Sequence, residues 1–254
     1  MSARAQRGAM RSSLLRAVGL VLLCAVSLQL YFLLRIVLMG VVDPQSTTFQ
    51  RSEAWRLLRE QQRIRWSQQW VDDSRLSPQL KRAVIASEDA GFTDHGGVDW
   101  EAIEKAWGRN QRSQTQADRR IAAHPKATSR PPKLIGGSTI SQQLAKNLFL
   151  SGERSLPRKA QELVLTLALE TLLSKQRLLE IYLNSVEWGE GLFGAQAASR
   201  HYFHVDADRL DAFSAARLAV MLPAPKRFEK SPGSAYVMAR AATIAARMPA
   251  VDLP

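Results

Sequence analysis

Eighteen consecutive residues near the N-terminus, Ala17 to Leu34, carry no charge, and only Ser27 and Gln29 among them are clearly polar. As a helix they span roughly 27 Å at about 1.5 Å per residue, close to the hydrocarbon thickness of a bilayer. Arg35 stands where a long side chain can snorkel to the interface, and Ile36 to Val42 lengthen the apolar span. Arg4, Arg7, Arg11 and Arg16 precede it with no acidic residue among them. The positive-inside rule then puts the N-terminus in the cytoplasm and the body outside. The competing reading is a cleaved signal peptide, whose apolar core normally runs about 7–15 residues before a small-residue cleavage site. The run here is longer and no clear A-x-A follows it, so an uncleaved single anchor is expected. The chain divides accordingly into a basic cytoplasmic segment (1–16), a transmembrane anchor (17–42), a connector (43–76) and one domain (77–254).

A domain of this size can bury a proper core, and 46% hydrophobic residues argue against wholesale disorder. The net charge of +12 points to an anionic partner: nucleic acid, a membrane surface or a phosphorylated substrate. Cys24, the one cysteine, lies in the apolar run, which excludes a disulfide framework and a cysteine-based zinc site.

Asp43-Pro44 ends the apolar run, and residues 45–76 read as a polar connector lying along the membrane. Ser77-Pro78 forms an N-cap and first-turn pair leading into Leu80 to Ala86, and Asp99 caps a second helix through Trp107. Residues 108–135 are rich in Arg, Gln, Ser and Thr, contain Pro131-Pro132 and show no apolar periodicity, which predicts a mobile basic loop. Helical patterns resume at about 138–149, 156–173, 175–185, 195–203, 211–222 and 234–248. No strand pattern of convincing length and no internal repeat appears.

Four segments carry candidate chemistry. In the first, Ser87 to Gly97, two acids and a histidine sit where a helix runs into glycines, as at a cleft rim. Glu88 is a candidate general base and His95 a candidate orienting group; a solvated helix end is the plain alternative. In the second, Gly136 to Asn147, Ile140, Leu144 and Leu148 form one apolar stripe. Ser138, Gln142 and Lys146 recur at the same spacing opposite, flanked by Thr139, Gln143 and Asn147. That is a neutral hydrogen-bonding face with one cation, suited to sugar and phosphate, or else an ordinary surface helix.

In the third segment, the helix after Glu162 is apolar nearly all round, which implies burial. Lys159, Glu162, Thr166 and Glu170 nevertheless align on it. A lone buried carboxylate is costly, so this stripe lines a wet cleft or Glu162 is paired with Arg158 or Lys159. The fourth, Lys175 to Asn184 and Trp188 to Phe203, reads mostly as scaffold. His201 and His204 have no carboxylate at ligand spacing, so no metal site is assigned. No nucleic-acid motif accompanies the basic charge.

Together these segments resemble the glycosyltransferase family 51 domain of monofunctional transglycosylases and class A penicillin-binding proteins. The pattern E-D-x-x-F-x-x-H-x-G is Glu88 through Gly96. G-G-S-T-I-[TS]-Q-Q-x-x-K-N is Gly136 through Asn147, with Ser141 where threonine is commoner, and E-R-[ST]-x-x-R-K-x-x-E is Glu153 through Glu162. No S-x-x-K or K-T-G of a transpeptidase is found, which points to the monofunctional branch.

The resemblance implies a mainly α, lysozyme-like fold with a small membrane-proximal subdomain, preceded by one transmembrane helix. It implies polymerisation of lipid II into β-1,4 glycan with release of undecaprenyl pyrophosphate, at the inner membrane with the catalytic domain periplasmic. Carried over by motif, Glu88 resembles the base and Glu162 the second essential acid. Lys146 and Arg154 resemble the cations that hold the donor pyrophosphate. Ser138, Gln142, Gln143 and Asn147 resemble cleft contacts, and Asp89, His95, Arg158 and Lys159 supporting groups. Some members of the family use a divalent cation, magnesium or manganese, near the pyrophosphate. The partners implied are lipid II, the growing lipid-linked strand, the membrane and other cell-wall synthesis or division proteins. The rival enzyme class is a membrane-anchored lysozyme-like glycan hydrolase.

Overall fold

The computed structural model describes residues 3–123, 137–153 and 155–254. It divides into two units, up to Asp43 and from Pro44 onward. The first is the helix α1 (Ala3–Leu38). Its stretch Ser13–Leu38 is long and apolar enough to cross a membrane, with a mean hydropathy of 2.3 in its most apolar window. Leu14, Val21, Leu23 and Leu34 are all exposed, as suits side chains that have lipid rather than protein as their solvent. The helix stops at Leu38, before the expected boundary at 42: Gly40 and Val41 donate to Val37 and Leu38 carbonyls in tight turns, and Asp43-Pro44 follows.

The second unit is mostly helical. Residues 43–76 are more than a connector, because they contain α2 (Thr48–Gln61). Thr47 and Gln50 form a capping box there, and the Gln50 amide reaches the Ser185 carbonyl at 3.2 Å. Helix α3 (Pro78–Glu88) starts at the Ser77 cap as expected. Helix α4 runs from Trp100 to Ala123, so the expected basic loop is helical up to that residue; its remainder, 124–135, lies outside the described residues. Arg, Gln and Ala sustain a helix without a buried stripe when no proline intervenes, and Gln114 bonds Asp118 one turn on.

The predicted later helices are present: α5 (Ile140–Phe149), α6 (Leu156–Leu172), α7 (Lys175–Ser185), α8 (Ala195–Phe203), α9 (Ala212–Met221) and, after a short unpredicted α10 (Pro225–Phe228), α11 (Ala235–Arg247). Helices α3, α9 and α11 pack together, while α5 lies against α2, α6 and α7. A minimal sheet of β1 (Ser67–Gln68), β3 (Leu192–Phe193) and β2 (Glu187–Gly189), in that order, ties the α2 connection to the turn after α7. The turn needs Gly191: its φ is +71°, and a Cβ there would meet the Arg65 carbonyl oxygen at 2.0 Å.

Helix α6 departs from the expectation of all-round burial. Glu162 and Thr166 point inward, while Leu163, Val164, Leu167 and Leu172 are exposed. The polar stripe is therefore the packed face. It is satisfied there: Thr166 donates to the Glu162 carbonyl at 2.7 Å, and Lys175 reaches Glu170 at 2.9 Å.

Candidate active site

Glu88 is the last residue of α3 and is half-buried. Helix α5 starts beside it because Asp89 Oδ2 accepts the Ile140 N–H at 2.9 Å, placing a carboxylate at a helix N-terminus. Asp89 Oδ1 meets His95 Nε2 at 2.8 Å, and His95 Nδ1 accepts the Gly97 N–H at 3.1 Å. His95 thus braces Asp89, which in turn raises the imidazole pKa. The Thr139 hydroxyl closes the frame by donating to the Gly97 carbonyl at 2.6 Å.

The Gln143 amide donates to Glu88 Oε2 at 3.0 Å, and its carbonyl accepts from the Tyr182 hydroxyl, also at 3.0 Å. Burial raises the Glu88 pKa, opposed by the Gln143 bond, while neighbouring Asp89 raises it and Lys146 lowers it. Tyr182 is fully enclosed, and burial holds its pKa well above the ordinary value, so the phenol stays a donor. Tyr182 belongs to the segment read as scaffold; its hydroxyl on an otherwise apolar helix face was the one signal that could have drawn attention to it.

Gln143 also lines a cavity of about 330 Å³ together with Lys146, Asn147, Glu153, Arg158 and Glu187. Lys146 is accessible from solvent, yet the protein packed around it lowers its pKa. Among the described residues no hydrogen bond or ion pair engages it. Glu162 is buried and held from two sides, by Arg158 at 2.9 Å and by a close contact with Lys159. Both pairings that the sequence allowed are therefore made.

Glu88 itself lines a second cavity, of about 490 Å³, with Asp89, Ser138, Arg109, Arg240 and Arg247. Gln143 thus lines the cavity of Lys146 while bonding Glu88, which lines the other cavity. Gln142 faces neither: its carbonyl accepts the Thr139 N–H at 3.2 Å and completes a capping box, so the expected cleft contact is turned onto the backbone. Arg154 lies outside the described residues.

Sequence reasoning missed Glu187. It lies on β2, buried, and its pKa is raised by burial to about 7. Among the described residues its Oε1 accepts no hydrogen bond; Lys226 Nζ stands 3.5 Å away, engaged by Glu53.

A divalent cation needs several oxygen ligands. Among the described residues, the one group of three acids or imidazoles close enough to share an ion is Asp89, His95 and Asp99, with ligand atoms within 4.8 Å. Both Asp89 oxygens are already engaged, and Asp99 Oδ1 caps α4 through the Ala102 N–H at 2.7 Å. Asp89 and Asp99 line the cavity of Glu88, and neither lines the cavity of Lys146. With these oxygens committed, the group does not fit a divalent cation.

A helical fold with a half-buried carboxylate at one of two cavities, both carrying cationic side chains, suits an enzyme that acts on an anionic substrate. The family model described as Transglycosylase matches residues 56–249, and the chain belongs to that family. It is 50% identical over 226 residues to a biosynthetic peptidoglycan transglycosylase of Burkholderia orbicola, covering 89% of this chain and 85% of the relative. The protein of the same description from Burkholderia thailandensis is 49% identical, over 89% of this chain and 82% of the relative. The lysozyme-like fold class and the motif resemblance both stand as expected.

Proposed function

We propose that this chain polymerises lipid II into β-1,4 peptidoglycan strands, with Glu88 as base and Lys146 and Arg154 as the pyrophosphate clamp. One observation carries the reading: Gln143 lines the cavity of Lys146 and also bonds Glu88, which lines the second cavity, so two substrates can meet at that residue. The growing lipid-linked strand occupies the cavity of Lys146 and Asn147. A lipid II acceptor occupies the cavity of Glu88.

The acceptor 4-hydroxyl oxygen bonds to the donor anomeric carbon and passes its proton to Glu88. The bond from that carbon to the pyrophosphate oxygen breaks, and undecaprenyl pyrophosphate departs with the electron pair. Attack opposite the leaving group inverts the anomeric configuration. The leaving group needs positive charge rather than a proton, and Lys146 supplies it with no competing partner among the described residues. Glu162 holds Arg158 in place at the same cavity and pairs with Lys159. Desolvation keeps Glu88 basic, and Gln143, fixed by Tyr182, aims it.

The N-terminal apolar helix fits anchorage beside a lipid-linked substrate, and the arginines before it favour a periplasmic catalytic unit. A lysozyme-type hydrolase must protonate a sugar leaving group with a carboxylic acid, and would leave Lys146, unpaired among the described residues, without a role. Incubating the purified protein with lipid II and separating products by size tests the proposal. Long glycan and free undecaprenyl pyrophosphate are expected. Short reducing-end fragments from finished, lipid-free glycan would establish hydrolysis instead.

A further inference from the structure

The cavity on the Glu88 side carries more positive charge than its assigned chemistry uses. Arg240 and Arg247 reach it from α11, and Arg109 from α4. Arg240 and Arg247 are seven residues apart, two helical turns, and so share one face of α11. All three are exposed, and no carboxylate among the described residues pairs with any of them. The acids that line the same cavity are otherwise engaged: Glu88 by Gln143, Asp89 by His95 and the Ile140 N–H, and Asp99 by the Ala102 N–H. None of the three arginines belongs to the motif segments.

Abstracting a proton from a sugar hydroxyl needs one carboxylate and no arginine. Three guanidinium groups around one cavity instead suit a multiply charged anion, because each can hold a carboxylate or phosphate by two parallel bonds. We propose that Arg109, Arg240 and Arg247 form an anion subsite that holds the charged part of the acceptor while Glu88 deprotonates its hydroxyl. The inference rests on the polymerase reading above. The anion is either the carboxylates of the acceptor's stem peptide or the acceptor's own pyrophosphate. The contact orients the attacking sugar; the arginines are positioning residues and touch no reacting atom.

The test uses the full chain in detergent, with initial rates measured over a range of lipid II concentrations. The variants are R240Q/R247Q, R109Q and the charge-preserving R240K/R247K. In R240Q/R247Q the KM for lipid II rises about tenfold while kcat stays within about twofold, the signature of lost binding rather than lost chemistry. R109Q shows a smaller rise, and R240K/R247K recovers most of the affinity. Added salt shrinks the difference between wild type and R240Q/R247Q, because exposed charges are screened. Binding of a phosphoglycolipid mimic to the Lys146 cavity is unchanged in these variants.

Lipid II with its stem carboxylates amidated separates the two sources. If wild type then shows the raised KM and R240Q/R247Q shows no further change, the carboxylates are the ligand. If amidation is without effect while R240Q/R247Q stays impaired, the pyrophosphate is. Equal KM for wild type and R240Q/R247Q on both substrates, in folded protein that polymerises, overturns the subsite and leaves the polymerase reading intact. A wild type that makes no glycan overturns both.

Discussion

Glu88 carries the most demanding assignment for a single side chain. Glu88→Gln keeps the amide bond to Gln143 within reach and removes the base, so turnover should fall about 10²-fold or more with the fold retained, as circular dichroism and steady-state rates would show. Near-normal turnover in a folded variant would remove Glu88 from the role. Burial raises the pKa of this carboxylate, and a base must be ionised to act. The acid limb of kcat/KM should therefore lie above the ordinary glutamate range and vanish from the residual activity of Glu88→Gln. Lys146→Ala should weaken donor-site binding by about 1.5–3 kcal/mol, read with a phosphoglycolipid mimic, since charge-assisted phosphate contacts have that scale. Both residues stood out in the sequence through local pattern and family motif. Gln142 shows the limit of such reading. Helical spacing put it on the polar face, but at the third position after Thr139 a glutamine can fold back on its own helix cap, and it does.

At the scale of elements, the start of α5 joins the two halves of the site. Thr139 caps the helix and also bonds the Gly97 carbonyl of the Glu88 loop. Thr139→Ala should cost about 1–2 kcal/mol, measured by denaturant unfolding, through loss of the cap and of that bond. A second test belongs to β2. Glu187 is an acid whose folded-state pKa, about 7, lies above the ordinary value of 4.5. The folded state thus holds this proton more tightly than the unfolded chain does. The stability it contributes is present below the ordinary pKa and is lost as pH rises through about 7. Glu187→Gln should flatten the fall in melting temperature between about pH 5 and 8; an unchanged slope would show that Glu187 does not titrate there. Helices with a cap and a buried stripe, such as α5 and α7, were legible in the sequence. Helix α4 was not, because an exposed helix needs no periodicity, and the burial of α6 was misread because Leu163, Leu167 and Leu172 face outward while Leu165 and Leu169 are buried.

For the molecule as a whole, anchorage and polarity are the quantities to test. Four arginines before one apolar helix should leave everything after it outside the cytoplasm. A reporter enzyme active only in the periplasm, fused after Pro254, should be active; activity of a cytoplasm-only reporter would invert the topology.

The apolar N-terminal helix, the longer helices after residue 137 and the candidacy of Glu88, Glu162 and Lys146 were legible in the sequence alone, because each depends on local composition, motif or spacing along one helix. Contacts between elements far apart in the chain were not. Gln143 comes to rest between Glu88 and Tyr182, 55 and 39 residues away, only when α3, α5 and α7 pack. The sequence showed Glu187 as one acid in a turn, and its burial depends on neighbours supplied by α2 and α10. Arg109, Arg240 and Arg247 were three ordinary surface cations until the fold brought two helices to the rim of one cavity. Desolvation and charge convergence are properties of the volume around a residue, and only tertiary packing decides what fills that volume.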